Sequence, residues 1–130
     1  MSSVLNRIRG TLNTLAAGKD VPMVGVYYGA CQEKQLDNWN YFVFNRWKTT
    51  KNNQSRADFQ TFYQVHVVHE DYIPEGYIET VIQALEAQAD QGTKLKVTTD
   101  DIPYSYIFKG NTNMVVEIAT ITFFHPEKRC

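Results

Sequence analysis

Cysteine is scarce: Cys31 and Cys130 are the only two in 130 residues. Two thiols do not make a disulfide framework, and they read as free thiols in a reducing compartment. Long apolar runs are missing too. Mean hydropathy is −0.39, and no stretch approaches the ~20 residues of a membrane span, so no membrane partner is expected. No apolar segment follows Met1 in the manner of a secretory leader. Neither sign of charge is in surplus: 13 Lys and Arg face 14 Asp and Glu, for a net charge of −1. A protein that coats nucleic acid or membranes would show a large basic excess. There is no Gly-x-Gly-x-x-Gly fingerprint, no phosphate-binding loop and no nucleophile elbow around Ser105. No residue argues for an enzyme, and no cofactor is implied.

What is present describes one domain over residues 1–130, since single domains cluster near 100 to 150 residues. Val4, Leu5, Ile8, Leu12, Leu15 and Ala16 recur at helical spacing, with Ser2 or Ser3 as cap and Gly18 as stop. Residues 21–28 are β-branched and aromatic and read as a strand. A second strand starts at Tyr41, and a third runs from Phe59 to Val68. Between them, residues 46–56 are polar and read as a loop or a long hairpin tip. Pro74 fits the first position of a second helix, whose one face carries Ile78, Val81, Ile82, Leu85 and Ala89 and which Gly92 ends. Leu95 and Val97 suggest a short strand. Ile102, Tyr104, Tyr106 and Phe108 alternate with other residues as one apolar face of a strand that Pro103 opens or holds at an edge. Met114 to Phe124 is the last strand.

The order α-β-β-β-α-(β)-β-β predicts an α+β fold: a mostly antiparallel sheet of four to six strands with two helices packed on one face. The last strand is apolar on both sides. Val115, Ala119, Ile121 and Phe123 point one way; Val116, Ile118 and Phe124 point the other. One face meets the helices. The second needs a partner, or cover from the strands' own hairpins and loops.

Two groups of residues could carry chemistry. His66, His69, Glu70 and Asp71 resemble metal ligands in type, but strand residues three apart face opposite sides, and zinc wants three or four convergent ligands. The 46–58 loop holds Arg46, Trp47, Lys48, Lys51 and Arg56 and no acid between 46 and 56. Cations interleaved with an aromatic can hold phosphates and stack bases, order against another subunit, or remain solvated. Eight tyrosines, apolar in body and polar at the tip, suit half-buried surfaces and interfaces.

The helix at 3–17, the strands at 24–28 and 41–44, the polar loop, the strand at 62–69, the acidic helix and the aromatic strands at 104–108 and 114–125 together resemble the tail-terminator or tail-completion proteins of long-tailed bacteriophages. That resemblance spans nearly the whole chain and rests on element order and aromatic strand pattern, with no sharp motif. It implies a structural virion protein, made in the host cytoplasm, forming a homo-oligomeric, hexameric ring at the head–tail junction. Such a ring caps the tail tube protein, docks a head-completion or neck protein, and lets DNA pass without sequence-specific binding. Another neck or minor capsid protein is the near alternative. A single-stranded nucleic-acid-binding module using the 46–58 loop is the alternative of a different class.

Overall fold

The structure is a computed structural model that describes residues 4–19, 21–31, 38–51, 58–87, 89–90, 93–98 and 101–128. Two helices, α1 (Val4–Ala16) and α2 (Tyr77–Glu86), accompany a six-stranded sheet. Its strands are β1 (Gly25–Tyr28), β2 (Tyr41–Lys51), β3 (Asp58–Glu70), β6 (Lys96–Val97), β7 (Tyr104–Phe108) and β8 (Val115–Lys128). A separate two-stranded ribbon joins β4 (Ala89–Asp90) to β5 (Thr93–Lys94). The class is therefore α+β.

The sheet order is β1-β2-β3-β8, with β7 and β6 following one another along the outer edge of β8. This sheet is mixed, which corrects the mostly antiparallel expectation: β1 runs parallel to β2, Gly25 opposite Tyr41 and Tyr28 opposite Phe44. The reason lies in residues 29–40. Twelve positions separate β1 from β2 in the sequence, the length that a connection between parallel neighbours needs, whereas an antiparallel neighbour needs only a tight turn. β1 is also shorter than the predicted 21–28. Pro22 has no N–H to give a ladder, and the Met23 N–H donates instead to the Ala16 carbonyl at the end of α1 (3.1 Å).

Of the two readings of 46–56, the loop is corrected over 46–51, where β2 pairs antiparallel with β3 as in a long hairpin; 52–57 lie outside the described residues. Residues 46–51 extend β2 and pair with residues 59–63 of β3, interrupted by a shift of register between Arg46 and Lys48. This is a β-bulge at Trp47, and a bulge adds one residue without ending the ladder. β-branched Thr49 and Thr50 favour the extended backbone, and the Thr49 and Thr61 hydroxyls bond across the strands at 3.2 Å.

α2 begins at Tyr77, after the predicted start at Pro74. Pro74, Glu75 and Gly76 make a turn in which the Tyr77 N–H donates to the Pro74 carbonyl (3.1 Å). Gly76 then adopts a left-handed conformation (φ 83°) that a side chain would resist. The helix ends at Glu86, so Ala89 belongs to β4 and not to the helix face; Gly92, like Ser2 and Ser3, lies outside the described residues.

Ladder register assigns the two faces. Phe42 and Phe44, Val65 and Val67, Ala119 and Ile121 lie side by side on one face. They share a single buried cluster with Ile8 and Leu12 of α1 and Val81 and Leu85 of α2. Phe42 stacks on Tyr77 at 6.2 Å, so β2 touches the first turn of α2. Among the described residues, no helix is long and apolar enough to cross a membrane.

Candidate functional site

The opposite face of the sheet is built from the other residues of the same ladders, and it falls into three bands. At one end lie Val68, Val116 and Ile118, with Val68 and Val116 buried and Tyr41 beside Val68. In the middle are polar residues: Asn45, Gln64 and Thr122 in one row, His66 and Thr120 in the next. At the other end Phe62 sits against Phe124 (6.1 Å between ring centroids).

His66 is fixed by that middle band. Asn45 Nδ2 donates to the Arg46 carbonyl (3.1 Å), which turns Asn45 Oδ1 toward His66 Nε2 at 2.9 Å. Nε2 therefore carries the proton, and Nδ1 accepts from the Thr120 hydroxyl at 2.9 Å. Burial lowers the His66 pKa from its ordinary value. His69 turns elsewhere, its Nδ1 lying 2.8 Å from the Glu70 carbonyl. Among the described residues, no three His, Cys, Asp or Glu side chains gather as metal ligands would.

The basic residues sit in the bulged part of β2. Before the bulge, Arg46 is opposite Tyr63; after it, Lys48 is opposite Phe62. The extra residue therefore places Trp47 and Lys48 beside Phe62. Trp47 meets Phe62 edge-on, with centroids 5.9 Å apart and planes at 83°, and is still 47% exposed. Lys48 Nζ stands 4.2 Å from the Trp47 ring centre and 5.0 Å from that of Phe62, within cation–π range. Arg46 is exposed and Lys51 is the last residue of β2, opposite Phe59. Arg56 lies outside the described residues. The structure thus brings Trp47 and Lys48 together on one aromatic platform.

A second surface lies along β7. Every residue of β7 is exposed. The sequence pattern gives this strand one apolar side and a start or an edge position at Pro103; on that side Tyr106 and Phe108 are 60% and 63% exposed, and Ile107 on the other side is exposed too. The reason is position. Among the described residues β7 pairs only with β8, and none of its own residues belongs to the buried cluster.

Two acids hold this edge to the body. Glu117 Oε1 accepts from the Ile73 N–H and Oε2 from the Tyr106 hydroxyl, both at 2.8 Å. The bond to Glu117 raises the Tyr106 pKa. Glu70 Oε2 accepts from Lys109 Nζ and from the Trp39 N–H, both at 2.7 Å. Partial burial alone would raise the Glu70 pKa, but these bonds and the charges of Lys109 and His69 outweigh it, and the carboxyl sits below its usual value. Glu117 carries a sequence signal, since it is the sole charged residue between Met114 and Phe124. Lys109, 39 positions from Glu70, carries none.

Between α2 and β7 lies an open groove of about 550 Å³. Ile78, Ile82 and Ile102 give it an apolar floor, Glu75, Glu79 and Glu117 give it charge, and among the described residues no Lys or Arg lines it. No protein-family model matches the chain, and no curated protein matches it.

Proposed function

We propose that this chain is a structural, non-enzymatic subunit that works by joining copies of itself, as a virion component of the tail-terminator type at a head–tail junction. The observation that carries the reading is the β7 edge. Natural sheets blunt an edge strand with charges, proline or cover. Here Tyr104, Tyr106, Ile107 and Phe108 are all exposed, and the strand Tyr-Ser-Tyr-Ile-Phe contains no charge. Large exposed apolar patches on soluble proteins mark interaction sites. A ring requires such surfaces, and a net charge of −1 suits a channel that DNA traverses without being held, because each phosphate neutralised adds salt-dependent affinity.

Sedimentation velocity over a concentration series, with electron microscopy of the associated fraction, tests this reading. Closed rings are expected. A protein that stays monomeric at every concentration and is absent from purified particles contradicts it.

A second reading is a single-stranded nucleic-acid-binding module. The exposed Trp47 with Lys48 on its face supports it, because a base can stack on an indole beside a cation. Titration with a labelled oligonucleotide at low and high salt decides: salt-sensitive binding that Trp47→Ala abolishes supports it, and no binding at low salt rejects it.

A further inference from the structure

We propose that copies join head to tail through two unlike surfaces: the bulged arm of one copy, carrying Arg46, Trp47 and Lys48, docks in the groove between α2 and β7 of the next. The inference rests on the self-assembly reading above and names the interface.

Charge is the first argument. The groove presents Glu75, Glu79 and Glu117 and, among the described residues, no basic one. Glu75 and Glu79 are exposed and make no ion pair among the described residues. The arm presents Arg46 and Lys48, both exposed, and sequence 46–56 contains no acid. Complementary potentials of this kind select a partner and set its register.

Distance is the second. Lys48 pairs with Phe62 and Phe62 with Phe124. Glu117 of the groove pairs with His69, further along the same ladder. Seven residues of extended strand separate Phe62 from His69, roughly 23 Å at ~3.3 Å per residue. The arm cannot fold back into its own groove, so only another molecule brings the two together.

Area is the third. Tyr72 and Tyr104 line the groove, Tyr106 and Phe108 continue along β7, and the four stand 48–63% exposed. Rings of this size leave on the order of 500 Å² uncovered, a large share of the ~800 Å² that each partner contributes to a standard interface. A contact between unlike patches also repeats by symmetry, closing into a ring or continuing as a filament.

Charge reversal tests the pairing. The arm variant is R46E with K48E; the groove variant is E75K with E79K. All four side chains are exposed, and circular dichroism checks folding. Glu117 is left intact because it holds Ile73 and Tyr106. In sedimentation velocity at low salt, the wild type associates, and its association weakens as salt rises. Each variant alone associates at least tenfold more weakly. Mixing the two restores assembly, because each junction then joins opposite charges, and the fourfold variant restores it within one chain. Trp47→Ala weakens assembly without changing charge. If the variants associate as tightly as wild type, or mixing restores nothing, this interface is wrong and the self-assembly reading stands. If the wild type is monomeric at its highest soluble concentration and low salt, both fall.

Discussion

Tyr77 is a buried phenol whose hydroxyl meets no hydrogen-bond partner among the described residues. Its ring stacks on Phe42, and burial pushes its pKa up to about 12. A buried polar atom left unbonded costs ~1–3 kcal/mol. Tyr77→Phe keeps the ring and removes the orphan, so the variant is expected to be more stable than wild type by about 1 kcal/mol in urea unfolding. Loss of stability would mean that the hydroxyl is bonded. Glu70 acts the other way. Its folded pKa is depressed, so its contribution is present in full above the ordinary carboxylate range and is lost as pH falls through that range toward the folded value. Glu70→Gln is expected to be less stable than wild type at pH 7 and to lose less on acidification. Urea midpoints between pH 7 and pH 3 check this, and parallel curves for the two proteins would refute it. Neither feature is legible in the sequence: which tyrosine is buried, and which lysine reaches which glutamate, are set by neighbours far away in the chain.

At the scale of elements, the long central strands carry two faces of unequal depth. Phe123 is fully buried in the cluster with the helices, while its neighbour Phe124 lies half-buried against Phe62. Phe123→Ala is expected to cost about 3–5 kcal/mol, within the range for emptying a packed core. Phe124→Ala removes less buried area and should cost about 1–2 kcal/mol. Denaturant unfolding of the two variants separates them, and equal losses would mean that the second face is packed as deeply as the first. The bulge at Trp47 is also a feature of this scale. Polar composition at 46–56 predicts a loop or a hairpin tip, because Lys, Asn, Gln and Arg are common in both. The ladder overrides it, since residues 48–51 each find a partner on β3. β3 and β8 are legible as long runs of β-branched and aromatic residues; an extra residue inside a strand leaves no such trace.

At the scale of the whole molecule, edges and ends decide behaviour. An exposed surface residue away from special features changes stability by ~0.5 kcal/mol or less. Ile107→Lys, in the middle of exposed β7, is therefore expected to leave the unfolding midpoint of the monomer nearly unchanged while reducing self-association. Light scattering beside thermal unfolding reads the two effects separately. A large fall in the melting temperature would place Ile107 in the core and remove the edge as a docking surface.

The sequence alone determined the elements and their class. Ile8 and Leu12, Val81 and Leu85 declare their helices through spacings of four residues, and Val65, Val67, Ile121 and Phe123 declare strands through spacings of two. These signals are local, because each side chain's direction follows from the backbone within one or two turns. The tertiary structure decided what those spacings do not contain. It set β1 parallel to β2, carried β2 through Trp47 to Lys51, joined Lys109 to Glu70, and opened a groove of three glutamates beside an uncharged edge. Each of these depends on pairings between residues distant in sequence, where the free energy belongs to the ladder and the packed layer and no single segment specifies it.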